Sequence, residues 1–72
     1  MDRKKIISEI SEILMLEEGF DIDNTQIGFD SLTSLMLIEF LDSNFSIGIS
    51  REEIKKLHFI RDILKFIEER RK

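Results

Sequence analysis

Residues 32–45 form a dense apolar run in which hydrophobic side chains recur at three- and four-residue steps, the period of an α-helix. Apolar residues fall on two sides of this helix. One side carries Ser34, Leu37, Ile38, Leu41 and Phe45, and the other carries Leu32, Met36, Glu39 and Ser43. A small bundle buries a single face, so we expect Leu32 and Met36 to be partly exposed. The alternative is a central helix that is buried all round.

The stretch from Gly28 to Leu32 marks where this helix begins. Asp30 is a favourable N-cap residue, because its carboxylate can accept a hydrogen bond from the free amide of Leu32 or Thr33. Ser31 then falls on the first turn, where backbone amides point outward and the helix dipole is positive. A phosphate on the Ser31 hydroxyl would lie where a helix best tolerates negative charge. Asp-Ser at a helix start is also common without any function.

The rest of the chain predicts an all-α protein. Three further helices are expected, over Asp2–Leu16, Arg51–Leu57 and Phe59–Arg70, which gives a small four-helix bundle of three main helices and a short third one. Proline is absent and the three glycines lie near the proposed helix ends. The short helix begins with a capping box of Ser50 and Glu53. Seventy-two residues allow one domain, spanning 1–72.

Two segments between helices should contribute to the core. The first is the long connection 17–29, with Phe20, Ile22, Ile27 and Phe29 as its apolar anchors. The second is the loop 46–50, in which Ile47 and Ile49 are expected to point inward.

Charge limits the classes of partner. The net charge of −4 argues against nucleic acid. Residues 1–50 carry three basic and ten acidic side chains, whereas residues 51–72 carry eight basic and five acidic ones. The acidic part of the chain fits recognition by basic partner enzymes, and it equally fits an ordinary solvated surface.

No recognisable catalytic or metal-binding pattern is present. The chain has no cysteine, so a disulfide, a zinc–thiolate site and a thiol nucleophile are all excluded. His58 is the single histidine and is expected to cap a helix or to lie on the surface. The acidic segment 21–25 lacks the glycine and the glutamate of a calcium loop. We therefore expect no metal site and no enzymatic activity.

Membrane attachment is not indicated by the sequence. No apolar run approaches the roughly 20 residues of a membrane span, and no signal-peptide core follows the first five residues. A cytoplasmic location is the expectation.

The order Gly-x-Asp-Ser-Leu, apolar helix, Phe45-x-Ile47-x-Ile49, short charged helix and final amphipathic helix resembles the acyl carrier protein family. The resemblance spans Arg3 to about Glu69. It implies that Ser31 receives 4′-phosphopantetheine from coenzyme A through a phosphopantetheinyl transferase, with Asp30 helping recognition. The thiol of that arm would hold acyl groups as thioesters, delivered by a loading ligase or a synthase.

The resemblance also implies roles for other residues. The surface that contacts partner enzymes would comprise Leu32, Met36, Glu39, Asp42 and Ser43, while Ile54 and Leu57 would gate access of the acyl chain to the core. A shuttling carrier is expected to be a monomer.

The helix that begins at Ser31 carries fewer acidic residues than the corresponding helix of fatty-acid carriers. Met36 occupies a position at which those carriers usually have an acidic side chain. A carrier of a specialised pathway, such as polyketide synthesis, fits at least as well as fatty-acid synthesis. Aminoacyl and peptidyl carriers more often show Gly-Gly-x-Ser-Leu, so Asp30 favours the acyl branch. An unmodified helical interaction module is the other alternative.

Overall fold

The computed structural model describes residues 2–71, and Met1 and Lys72 lie outside the described residues. It contains four helices, namely α1 (Arg3–Leu14), α2 (Ser31–Phe45), α3 (Arg51–Ile54) and α4 (Ile60–Arg70). Residues 2–71 include no β-strand, only an isolated antiparallel bridge between Gln26 and Phe59. The predicted all-α class with three main helices and one short helix is therefore confirmed.

Helix α1 begins one residue after the predicted start at Asp2 and ends two residues before the predicted end at Leu16. The Asp2 carboxylate accepts a hydrogen bond from the Lys5 amide at 2.8 Å and caps the helix. Met15 adopts the left-handed conformation with φ 56°, and the Leu16 amide reaches back to the Ser11 carbonyl at 2.9 Å. This hydrogen-bonded turn ends the helix, so Gly19 is not its terminator.

Helix α2 crosses the core and runs one residue beyond the predicted end at Asn44. Ser46 closes it in the left-handed conformation with φ 55°, and the Ser46 amide donates to the Asp42 carbonyl at 3.0 Å. Its buried residues are Ser34, Leu37, Phe40 and Leu41, whereas Ile38 and Phe45 are half-buried. Phe40 was not predicted to be buried, and it packs edge-on against Phe45 with ring centroids 5.8 Å apart.

Helix α3 is shorter than predicted. The capping box is present, with the Glu53 amide donating to Ser50 Oγ and the Ser50 amide donating to Glu53 Oε1, both at 3.1 Å. The helix ends at Ile54 because the next amides form tighter i→i+3 bonds, Lys56 to the Glu53 carbonyl and Leu57 to the Ile54 carbonyl. The predicted extension to Leu57 is therefore wrong, although Leu57 is buried.

Helix α4 is capped by a residue of its own first turn, Asp62. The Asp62 carboxylate accepts hydrogen bonds from the backbone amides of His58 and Phe59, both at 3.0 Å. The side chain of Phe59, at the N-cap position, forms no cap bond. The helix begins one residue after the predicted start at Phe59 and ends at Arg70 as predicted.

One hydrophobic core joins all four helices and the two connections. Its buried side chains are Ile6, Ile10, Ile27, Leu37, Phe40, Leu41, Ile47, Ile49, Ile54, Leu57, Ile60, Ile63, Leu64 and Ile67. The predicted anchors of the long connection contribute as expected, with Ile27 buried and Phe20, Ile22 and Phe29 half-buried against the core. The inward orientation of Ile47 and Ile49 is also confirmed.

The long connection is tied to the start of α4 through its backbone. The Ile27 amide donates to the His58 carbonyl at 2.8 Å, and the Arg61 amide donates to the Ile22 carbonyl at 3.2 Å. The Arg61 guanidinium adds a bond to the Asp23 carbonyl at 2.9 Å. These contacts fix the position of residues 22–27, the segment that leads to the start of α2.

Candidate functional site

Ser31 is the first residue of α2, and it is exposed. Asp30 caps the helix through reciprocal bonds with Thr33. Asp30 Oδ1 accepts from the Thr33 amide at 2.8 Å and from Thr33 Oγ1 at 2.9 Å, while the Asp30 amide donates to Thr33 Oγ1 at 2.9 Å. The predicted N-cap is therefore confirmed, with Thr33 as its partner. The cap therefore fixes the helix start at which the exposed Ser31 lies.

The electrostatics of Asp30 match its capping role. The Thr33 backbone amide, and after it the Thr33 hydroxyl, hold the pKa of the Asp30 carboxyl below its ordinary value. The carboxylate is therefore ionised near neutral pH, and one of its oxygens is already engaged by Thr33. Such a group stabilises the helix start and is a weak proton acceptor.

A cleft of about 540 Å³ opens beside Ser31, between the start of α2 and the α3 segment. Its lining comprises Ile27, Gly28, Phe29, Asp30, Ser31, Ser34, Arg51, Ile54, Lys55, Leu57 and His58. This volume lies within the range of about 300–1,000 Å³ that is usual for small-molecule sites. The two proposed gate residues, Ile54 and Leu57, are 1% and 8% exposed and share this lining with Ser31. Their role as a gate remains a prediction.

Basic side chains line the cleft on the α3 side. Arg51 and Lys55 are exposed, and neither side chain forms a hydrogen bond or an ion pair within residues 2–71. They are four residues apart, and so they share one side of this short segment. The i, i+4 spacing of Arg51 and Lys55 is visible in the sequence, but their place in the same cleft as Ser31 was not predicted.

Ser34 adds a polar group to the wall of the cleft. It lies one helical turn after Ser31, it is 9% exposed, and its hydroxyl forms no hydrogen bond in the part of the chain that the structure describes. Ser34 was predicted to face inward with Leu37 and Leu41, and this is confirmed. Within residues 2–71 no fully buried side-chain nitrogen or oxygen lacks a partner, so the Ser34 hydroxyl keeps some contact with solvent at the cleft.

The proposed partner surface of α2 is exposed. Leu32 is 66% exposed and Met36 is 41% exposed, as predicted, and Leu35 adds a third apolar side chain at 51% that was not predicted. The proposed polar contacts Glu39, Asp42 and Ser43 are exposed as well. A second groove, of about 340 Å³, brings together Glu9, Ile13, Met36, Glu39, Phe40, Ser43 and Asn44. Leu32 and Asp42 do not line this groove.

His58 lies on the surface at the edge of the main cleft. Its backbone amide contributes to the start of α4 by donating to Asp62, so the cap at this helix does not use the imidazole. Within residues 2–71, no group of three or more His, Cys, Asp or Glu side chains is arranged to hold a metal ion.

None of the helices over residues 2–71 combines the length and the apolar character that crossing a bilayer requires. Comparisons of the chain with protein-family models, with curated proteins and with solved structures give no match. The function is therefore inferred from the site around Ser31.

Proposed function

We propose that this chain is a freestanding acyl carrier protein and that Ser31 carries 4′-phosphopantetheine on its hydroxyl. The supporting observation is the exposure of Ser31 at a capped helix start beside an open cleft. In the modification, Ser31 Oγ forms a phosphodiester with the arm while the remainder of coenzyme A leaves. The transferase supplies the base and the metal, so the carrier itself is not an enzyme. The acyl-carrier-like identity of the fold belongs to the same proposal.

The arm supplies the chemistry that the chain lacks. The sequence contains no cysteine, so a thioester can form only on a thiol attached from outside. A flexible tether keeps the thioester at a high effective concentration at each enzyme to which the carrier docks. The chain's own contribution is to fix the attachment point through the Asp30–Thr33 cap.

The cleft beside Ser31 is suitable for the start of the arm or for an apolar cargo. Ile27, Ile54 and Leu57 give it a hydrophobic lining that continues into the core. An acyl chain that enters between Ile54 and Leu57 would be removed from water, which would limit hydrolysis of its thioester. These two residues are the gate in this proposal.

The partners are a phosphopantetheinyl transferase and the ligase or synthase that loads and uses the cargo. Leu32, Met36 and Glu39, together with Asp42 and Ser43, form the contact surface for them. The exposed apolar side chains supply contact area, and the carboxylates favour basic partners. The carrier acts as a monomer in the cytoplasm. Asp30 favours an acyl cargo over an aminoacyl or peptidyl one.

The proposal is tested by measuring the intact mass of the chain after incubation with coenzyme A and a broad-specificity phosphopantetheinyl transferase. The parent chain and Ser8→Ala should gain the mass of one phosphopantetheine group, whereas Ser31→Ala should gain nothing. Ser8 is a suitable control because it is an exposed helical serine outside the proposed partner surface. An unchanged parent mass, or equal gains in both variants, would contradict the proposal.

The second candidate is an unmodified helical interaction module. It is favoured by the exposed Leu32, Leu35 and Met36, which offer an apolar contact surface with or without an arm. In that case Ser31→Ala would leave partner binding unchanged, while Met36→Ala would weaken it.

A further inference from the structure

We propose that Arg51, Lys55 and Ser34 form a binding site for the phosphate esterified to Ser31, so that the arm is held across the cleft rather than extended into solvent. This inference rests on the proposed function, because the phosphate is that of the phosphopantetheine arm. It goes further by assigning an anion-binding role to three residues of this chain.

The side chains of Arg51 and Lys55 are unpaired within residues 2–71, where the one ion pair joins Arg70 to Glu53. Both side chains line the same cleft as Ser31. Arg and Lys are the side chains that bind phosphate oxygens through charge-assisted hydrogen bonds. A phosphodiester on Ser31 would supply the anion that they lack.

The Ser34 hydroxyl adds a polar group to the same cleft. Ser34 is 9% exposed, its hydroxyl forms no hydrogen bond within the described residues, and the hydroxyl oxygen keeps some contact with solvent. A hydroxyl in this position can donate to a phosphate oxygen that lies over the first turn of α2. The positive end of the α2 dipole acts in the same direction.

Asp30 is the single acidic side chain in the lining of the cleft, and its charge opposes the binding of an anion. Its Oδ1 atom is engaged by the amide and the hydroxyl of Thr33, which partly compensates this charge. Two cations, a free hydroxyl and the helix start therefore outweigh one capped carboxylate. A phosphate held there directs the following arm toward Ile54 and Leu57.

A charge cycle tests the site without any modification. Ser31→Asp and the neutral Ser31→Asn are each made in the parent chain and in an Arg51→Gln, Lys55→Gln background. In the parent chain at low salt, the melting temperature of the Ser31→Asp variant should exceed that of the Ser31→Asn variant by roughly 2–6 °C. This difference in melting temperature should be much smaller in the Arg51→Gln, Lys55→Gln background. Lys56→Gln is the matched control, because Lys56 is exposed in the same segment but does not line the cleft. An equal difference in both backgrounds would overturn the proposal.

The modified protein provides the second test. The melting temperature of the phosphopantetheinylated chain should exceed that of the unmodified chain at low salt, and the gain should be smaller with Arg51→Gln, Lys55→Gln and with Ser34→Ala. Added salt should reduce the gain in the parent chain. A gain that is independent of these three residues would overturn the inference while leaving the carrier function intact. A charge cycle that succeeds without any mass gain would contradict the carrier function and the phosphopantetheine ligand together, and it would leave only an anion-binding site at the start of α2.

Discussion

Asp30 and Ser31 are adjacent residues with different roles at the candidate site. Asp30 fixes the helix start through Thr33, and its neighbour Ser31 is left with an exposed hydroxyl that has no structural bond of its own within residues 2–71. The residue that stabilises the helix start is therefore not the residue that is proposed to be modified. A substitution at Asp30 should act on the stability of α2, whereas a substitution at Ser31 should act on the attachment of the arm.

We predict that Asp30→Ala lowers the urea midpoint of unfolding and that Asp30→Ser retains most of the parent value. Serine can accept the same hydrogen bond from the Thr33 amide, whereas alanine leaves this amide without its partner. Asp42→Ala is the control, because Asp42 is exposed near the other end of α2 and caps nothing. An equal effect of Asp30→Ala and Asp42→Ala would mean that the cap does not stabilise the fold.

The fold should lose stability on the acid side of neutrality. Hydrogen bonds hold the pKa values of Asp21, Asp30 and Glu53 below their ordinary values, through the Asn24 side chain, the Thr33 amide and the Ser50 amide respectively. A carboxylate whose pKa is lowered in the folded state stabilises the fold above its unfolded-state pKa, and this contribution is lost as pH falls through the folded-state pKa.

The melting temperature should therefore decline as the pH falls below about 4.5 and continue to decline below 3.8, the ordinary values for Glu and Asp. Circular dichroism at fixed ionic strength from pH 7 to pH 2.5 provides the measurement. Asp30→Asn should reduce the slope of the decline. A melting temperature that rises on acidification would contradict the pKa directions.

At the scale of the elements, α3 has little stability of its own. Four residues are far fewer than the roughly 12–15 that an isolated helix needs. The segment is held by the Ser50–Glu53 capping box, by the buried side chains of Ile54 and Leu57, and by the Arg70–Glu53 contact at 2.7 Å. Since α3 also forms one side of the cleft, we expect its attachment to affect the width of the cleft beside Ser31.

We predict that Arg70→Ala increases hydrogen exchange at the amides of Ile54 and Lys55 while leaving the global unfolding free energy nearly unchanged. The ion pair is partly exposed and therefore contributes little to global stability, but it joins α3 to α4. Arg71→Ala is the control at the neighbouring residue, whose guanidinium lies over the Phe45 ring instead. Equal exchange in both variants would show that the contact does not hold α3.

At the scale of the whole molecule, a single small core carries the stability of the fold. Leu37 and Met36 are adjacent on α2, yet Leu37 is fully buried whereas Met36 is 41% exposed. We predict that Leu37→Ala lowers the free energy of unfolding by about 2–5 kcal/mol. Met36→Ala should change it by about 0.5 kcal/mol or less. Urea denaturation provides both values, and similar losses in the two variants would contradict this division of α2 into a core face and a partner face.

Features set by local chemistry could be predicted from the sequence. The Asp30 cap, the Ser50–Glu53 box and the inward residues Leu37 and Leu41 depend on neighbours within a turn or on helical periodicity. Features set by packing between distant segments could not be predicted. The early end of α1 depends on the left-handed conformation of Met15, which residue type alone does not favour.

The candidate site shows the same division. The exposure of Ser31 follows from its place at a helix start, whereas the cleft that Ser31 shares with Arg51 and Lys55 depends on where the fold places α3. Leu57 was predicted to be the last residue of the third helix, but the helix ends at Ile54. The i→i+3 hydrogen bonds of Lys56 and Leu57 form a turn there instead.

The central claim, that Ser31 anchors a phosphopantetheine arm, is tested most directly by tandem mass spectrometry of the chain after treatment with coenzyme A and a phosphopantetheinyl transferase. We expect one phosphopantetheine group per chain. The added mass should be found in the fragment ions that contain Ser31, and it should be absent from the fragment ions that contain Ser34, Ser43 or Ser46 but not Ser31. A chain that stays unmodified, or a group attached to another serine, would contradict it.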